Sequence, residues 1–488
     1  MPHIPFLTPA SFTRLPEAFY RYIAPDALGK PYWVARNLPL GEQQGLLPGD
    51  WDDDLLHYLG GSAKQYDPAP FATVYSGHQF GGYTPQLGDG RALMLGERQD
   101  KQGVSWEWQL KGAGKTPFSR FADGRAVLRS SIREYLCSEA MYGLGIPTTR
   151  ALAIVGSDDA VYREQQETAA VVTRIAPSFI RFGHFEYFYH TGQHQYLAPL
   201  ADFLIEHHYP ECKTAEQPYL ALFEAICERS VRLVADWQAV GFTHGVLNTD
   251  NMSVLGLTID YGPFGFMDTF DRRYVPNHSD TGSRYAYNEQ PYIVQWNLSR
   301  IGSALLPLCE KDGLVAALDR FPEQYQQAYL NKMRAKLGLL QEKTGDGELV
   351  ADLLELLQDR ADFTLFFRHL SAVSNPHEEP LPPQLAALFA EDGLAALQLW
   401  IGRYRQRLRA ENSEHEARRV RMNAVNPLYV LRNYLAEQAI RLAQAGDYRE
   451  IERLRACLSE PFTESARFAD FAEPPPEWAS EICVSCSS

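Results

Sequence analysis

The sequence predicts an α+β protein of two lobes with extensions at both ends. Three observations carry this. Short apolar runs between glycine and aspartate turns crowd residues 71–180, the pattern of strands. One strongly helical segment, Arg125 to Tyr142, lies among them. After about residue 195 the periodicity turns helical, with one break at 241–285. The divisions that follow are an N-terminal extension (1–70), a strand-rich lobe (71–180), a helical lobe (181–462) and a tail (463–488).

Each element has its own signal. Residues 1–70 read as irregular, with scattered prolines and aromatics and the acidic run Asp52-Asp53-Asp54. Arg91–Leu95 and Trp106–Leu110 read as strands. In the helical segment Val127, Leu128, Ile132, Tyr135, Leu136 and Met141 share one face; Gly143 and Gly145 end it and Pro147 follows. Ala151–Val155 and Ala169–Ile175 are strand-like. The long helical stretches are 218–239, 313–340, 347–370, 383–409 and 427–458. Met252–Ile259 reads as a strand within the break, and the proline-rich stretch 473–477 marks the tail as a loosely attached arm.

Composition narrows the function. The 488 residues are 45% hydrophobic and 22% charged, near the globular average, which excludes global disorder. The aromatic share of 12% suits a packed enzyme better than a coiled coil. A net charge of −15 argues against a broad nucleic-acid surface, which needs Lys and Arg, and leaves room for one local basic pocket. Met1–Phe6 lacks the features of a signal peptide, and no apolar run reaches the roughly 18 residues of a membrane helix. The seven cysteines are an odd number and the first five stand isolated, against a disulfide framework. The expectation is a cytoplasmic protein with no membrane or nucleic-acid partner.

The most chemical stretch is His244-Gly245-Val246-Leu247-Asn248-Thr249-Asp250-Asn251, followed by Ile259-Asp260-Tyr261-Gly262. A hairpin between them would set Asn251 beside Asp260 as hard oxygen ligands for Mg²⁺, with Asp250 free to accept a proton from a hydroxyl. Aspartate and asparagine also favour turns for their own sake. Upstream, Lys111 ends a strand-like run and Glu134 lies on the inward face of the strong helix, an arrangement that aims a cation at nucleotide phosphates. Gly88-Asp89-Gly90-Arg91 offers a turn whose backbone N–H groups approach phosphate, or an ordinary hairpin. Asp123-Gly124 either caps the helix or touches the nucleotide; Arg174 and Arg181 either neutralise phosphate or pair on the surface.

The order of these parts, Lys and Glu first and the acidic loop in the helical half, is that of protein kinases. One part is out of place. With His244 and Asn251 laid on the kinase catalytic loop, Val246 falls where the base aspartate belongs, and the carboxylate comes later, at Asp250. That leaves a phosphotransferase with a displaced base, a silent nucleotide-binding scaffold, or an enzyme that breaks another bond.

These segments resemble the selenoprotein O family, also called the SelO or YdiU family, kinase-fold protein adenylyltransferases once classed as pseudokinases. The resemblance rests on Tyr75–Gly81, Gln86–Ala92, Gln109–Gly114, Asp123–Leu136, Gly145–Leu152, residues 244–262, Gln290–Leu298 and Asn426–Tyr434. It implies that ATP lies inverted relative to ordinary kinases. AMP then passes to a Ser, Thr or Tyr hydroxyl of a protein and pyrophosphate leaves, with Mg²⁺ or Mn²⁺ as cofactor; UMP transfer from UTP is the alternative. Carried over by motif, Asp250 is the proton acceptor and Asn251 and Asp260 hold the metal. Gly88, Gly90, Arg91, Lys111, Asp123, Gly124, Arg174, Arg181 and Asp260 bind the nucleotide, and Glu134 positions Lys111. The tail fits the same picture. Cys486 stands where some members carry selenocysteine, and Cys483-x-x-Cys486 suits a thiol-redox partner. Pro276, before Asn277, stands where some members carry a cysteine, which argues against a bridge from tail to loop. His184, His190 and His194 read as part of an aromatic-rich segment rather than a zinc site.

Overall fold

A computed structural model describes residues 7–375 and 379–485. The chain is α+β, built on one large antiparallel sheet and many helices. The strands in chain order are β1 (Tyr20–Tyr22), β2 (Tyr32–Arg36), β3 (Phe71–Thr73), β4 (Gly77–Gln79), β5 (Gly82–Thr84), β6 (Ala92–Gln99), β7 (Ser105–Lys111), β8 (Ala126–Val127), β9 (Arg150–Tyr162) and β10 (Gln166–Ala176). The main sheet runs β1-β3-β6-β7-β10-β9-β2, with β8 paired to β10. β4 and β5 form a separate small hairpin, and β11 (Phe242–Thr243) pairs with β12 (Gly265–Phe266).

The sheet corrects two expectations. Residues before 70 contribute both outer strands, β1 against β3 and β2 against β9, and two helices, α1 (Leu38–Gln43) and α2 (Asp53–Leu59). Those short strands lack clean alternation, so only their partners define them. The expected strand Met252–Ile259 is absent; its backbone bonds go outward instead, Val254 N–H to Ile180 O (3.1 Å) and Thr258 N–H to Pro147 O (2.8 Å). Asn251 and Asp260 therefore reach the same cleft through a wrapped loop and not a hairpin.

Helix α3 (Leu128–Gly143) covers one face of the sheet and packs on β9 and β10. Ile132, Tyr135, Leu136, Cys137 and Met141 are fully buried there, each large apolar side chain worth about 1.5–3 kcal/mol. Next come α4 (Phe182–His190), α5 (Leu197–His208), α6 (Pro218–Val240) and α7 (Gln290–Ala304). Pro218 sits in the first turn of α6, where no N–H is needed, and Gly241 ends it in the left-handed region (φ 70°). The later helices of eight residues or more are Lys311–Asp319, Phe321–Lys336, Asp346–Leu357, Phe363–Leu370, Glu391–Arg409, His415–Asn423, Asn433–Gln444 and Arg449–Leu458. Several are shorter than the periodic stretches suggested, because apolar periodicity continues through the turns between them. They supply a second apolar core around Phe366, Leu353 and Trp400. No helix among the described residues is long and apolar enough to cross a membrane.

Candidate active site

Between the sheet and the loop 244–263 lies a cleft of about 700 Å³, a size that suits a nucleotide. All the residues named for nucleotide and metal line it: Gly88, Gly90, Arg91, Lys111, Asp123, Gly124, Glu134, Arg174, Arg181, Asp250, Asn251 and Asp260.

The floor is a buried charge network. Lys111 ends β7 and Arg174 lies on the neighbouring strand β10, so the sheet holds two cations side by side. Glu134 on α3 bridges them, with Oε2 2.6 Å from Lys111 Nζ and Oε1 3.0 Å from Arg174 Nη1. Asp260 gathers three cations. Oδ1 accepts from Arg174 Nη1 (2.6 Å) and Lys111 Nζ (3.4 Å), and Oδ2 accepts from Arg181. Burial alone would raise the Asp260 carboxyl, but Arg181, Lys111 and Arg174 outweigh it and hold it well below the usual carboxylate range. Burial pushes the Lys111 ammonium down despite Glu134 and Asp260. Three cations thus converge on two carboxylates in the floor.

One wall of the cleft is backbone, at Gly88 and Gly90. Gly88 adopts φ 68°, and a Cβ there would lie 2.5 Å from the Phe118 ring, so only glycine fits. Asp89 holds the turn from behind, accepting from Thr73 N–H (2.9 Å) and Thr73 Oγ1 (2.6 Å). Arg91 is exposed at the cleft edge. Asp123 is not the helix cap, since α3 begins at Leu128; it is clamped by Arg163 through two bonds of 2.7 and 2.9 Å.

On the facing loop, Asp250 and Asn251 share one short turn, Thr249–Asn251. Asp250 Oδ2 accepts from Gln79 Nε2 (3.0 Å), while the buried Oδ1 has no hydrogen-bond partner among the described residues. Burial pushes the carboxyl up to about 7, against the pull of Gln79 and Arg181. Asn251 Nδ2 donates to Val246 O (3.0 Å), which turns its Oδ1 away from that contact. The oxygen donors fit a hard divalent cation: among the described residues Asn251 Oδ1 accepts no hydrogen bond and Asp260 Oδ2 accepts one, from Arg181. His244 is structural, its Nε2 bonded to Ile259 O (2.9 Å).

Three features escaped the sequence. Gln79 orients Asp250 from 171 residues away, and Arg163 holds Asp123. Glu186, fully buried, pairs with His78 Nδ1 (2.6 Å) and accepts from Thr249 Oγ1, clamping β4 to the turn that carries Asp250. His190 joins His78 and Glu186, with the three ligand atoms within 4.8 Å, rather than grouping with His184 and His194. Gln79 and His78 stand in the Tyr75–Gly81 motif, the one signal that marked them. Cys483 is an exposed free thiol beside Val484, which bridges to Asn277; Cys486 lies outside the described residues.

Buried cations in a nucleotide-sized cleft, facing a half-free carboxylate, define an enzyme that transfers a group from a nucleotide. Comparison with known proteins narrows the class. The model of the family "Protein adenylyltransferase SelO" matches residues 6–459, and the chain belongs to this family. It is 50% identical over 486 residues to the protein nucleotidyltransferase YdiU of Thioalkalivibrio sulfidiphilus, and 48% over 482 residues to that of Pseudomonas aeruginosa. It is 49% identical over 485 residues to that of Thiobacillus denitrificans. In all three cases 98% of each chain is covered. The protein is a nucleotidyltransferase.

Proposed function

We propose that the protein transfers AMP from ATP to Ser, Thr or Tyr hydroxyls of other proteins and releases pyrophosphate. One observation supports this above the rest. Asp250 keeps an unpartnered oxygen in the same cleft where Lys111, Arg174 and Arg181 converge. Asp250 Oδ1 takes the proton of the acceptor hydroxyl, whose oxygen attacks the α-phosphorus. The bond to the bridging oxygen breaks, and pyrophosphate leaves with the charge that Lys111, Arg174 and Arg181 stabilise. Gly88 and Gly90 present backbone to the phosphates, Arg91 adds a donor at the edge, and Asp123-Gly124 faces the nucleotide. Asn251 and Asp260 would hold Mg²⁺ or Mn²⁺, which when bound neutralises phosphate charge. The order of parts supports a kinase-like, two-lobed arrangement, and the free cysteines among the described residues suit a cytoplasmic enzyme.

ATP labelled in the α- or the γ-phosphate tests the reading. Protein labelled from α alone is expected; label from γ alone sinks it, and labelled UTP outcompeting ATP replaces AMP by UMP. Asp250→Ala is expected to abolish transfer and keep ATP binding, and wild-type labelling by that variant refutes the base assignment.

A further inference from the structure

The base and the phosphate cradle leave one side of the site undescribed, the side from which the acceptor must come. There the hairpin β4–β5 turns at Phe80 and Gly81. Phe80 is a non-glycine residue in the left-handed region (φ 49°), held by its N–H to Tyr285 Oη (2.9 Å). Its ring lines the cleft and is 46% exposed. Helix α7 underlies the catalytic loop, with Asn297 Nδ2 donating to Leu247 O (2.9 Å). On this helix Tyr292, Trp296 and Arg300 follow at intervals of four and so share one stripe. Tyr292 is 60% exposed.

Two guanidinium groups lie over the Trp296 ring, Arg284 at 4.8 Å and Arg300 at 4.9 Å. The hairpin tip touches the same cluster, since a Cβ at Gly81 would lie 3.5 Å from Arg284 Cζ. Among the described residues neither arginine forms an ion pair, Arg284 Nε has no hydrogen-bond partner, and the Arg300 guanidinium bonds only its neighbour Ser299. The one carboxylate in contact, Asp280, accepts from the Arg284 backbone N–H (3.0 Å) and not from its guanidinium, so in a chain with 61 acidic and 46 basic residues two arginines outside any ion pair among the described residues are a marked local reversal of charge.

We propose that Phe80, Arg284, Tyr292, Trp296 and Arg300 form the docking surface for the acceptor polypeptide, and that they select an acidic stretch with aromatic side chains near the acceptor hydroxyl. The arginines, held on the Trp296 ring, pair with its carboxylates, and the exposed Phe80 and Tyr292 give its aromatic rings a face to pack on. The hairpin lies between the two, with Gln79 on Asp250 and Gly81 against Arg284, so the selected acidic residues lie a few positions from the modified one. The assignment rests on Asp250 as the base that receives the acceptor.

The test uses the full chain with Mg²⁺ and α,β-methylene ATP to fill the cradle. Fluorescein-labelled random copolymers of Glu with Tyr, and of Lys with Tyr, report binding by anisotropy. The Glu-Tyr polymer is expected to bind at least about tenfold tighter, and the double variant Arg284→Glu/Arg300→Glu to lose that preference while its nucleotide-induced thermal shift persists. If that shift is lost, the single variants Arg284→Gln and Arg300→Gln take its place, each expected to weaken Glu-Tyr binding several-fold. Glu-Tyr binding that the arginine variants leave unchanged, no binding by the wild type, or stronger binding of an oligo-dT strand overturns the assignment. Transfer from α-labelled ATP is read separately. Arginine-dependent binding without transfer leaves the docking surface standing and removes the AMP reading. Transfer with an unchanged KM for the copolymer in the double variant does the reverse.

Discussion

Replacing Asp260 by asparagine tests the charge network at its centre. The carboxylate neutralises Lys111, Arg174 and Arg181, all buried. At an effective dielectric near 20, the Arg174 contact at 2.6 Å and the Lys111 contact at 3.4 Å are each worth about 5–6 kcal/mol before desolvation. Desolvation cancels much of this. Removing one partner of a buried pair nevertheless costs about 3–5 kcal/mol, because the remaining charges stay buried without compensation. A chain of 488 residues has an unfolding entropy of about 1 kcal/mol/K, so cooperative melting should shift down by about 3–5 °C. Differential scanning fluorimetry reads this directly. ATP in EDTA should protect the variant more than the wild type, since phosphate replaces the missing negative charge. Asp123→Asn is the control: its pair with Arg163 is 40% exposed on the aspartate side and should contribute about 1 kcal/mol or less. An Asp260→Asn variant that melts like the wild type refutes the account of Asp260 as the neutralising centre.

Three further outcomes are expected. A Cβ at residue 77 would lie 2.7 Å from Asp250 Oδ1, so Gly77→Ala should displace the base and lower kcat about 10–100-fold with KM for ATP little changed, measured by label transfer. Gly88→Ala meets both the positive φ and the Phe118 ring, and should weaken nucleotide binding in a thermal-shift titration while the melting point without nucleotide falls by only a few degrees. Glu107 is buried and its carboxyl is pushed up to about 8; its raised folded value means stability is complete below about 4.5 and is lost as pH rises through 8. Glu107→Gln, which still accepts from Phe179 N–H, should therefore gain on the wild type by up to about 4 kcal/mol between pH 5 and 8.5 in urea melts, and a difference that does not grow with pH contradicts this.

Much of the site was legible because its parts are local. Lys111 ends an apolar run, Glu134 sits on the inward face of a periodic helix, and Asp250-Asn251 precede Asp260 within one polar break. Periodicity carries such information, since burying one face forces the spacing. The helix Leu128–Gly143 and strands β6, β7, β9 and β10 emerged within a few residues of their expected bounds, although β9 and β10 proved longer. The strands before residue 70 were not legible, because each is defined by the strand it pairs with.

By itself the sequence determined the α+β class, the family resemblance and the residue types of the cleft, since these follow from composition, periodicity and short motifs. Only the tertiary structure decided how they combine. Asp260 faces three cations because β7, β10 and the loop after β10 converge on it, and Gln79 reaches Asp250 because Glu186 clamps a separate hairpin to the turn that carries Asp250. Such contacts span up to 171 residues, and no local pattern encodes them, because burial and charge pairing act on distance in space and not on distance along the chain.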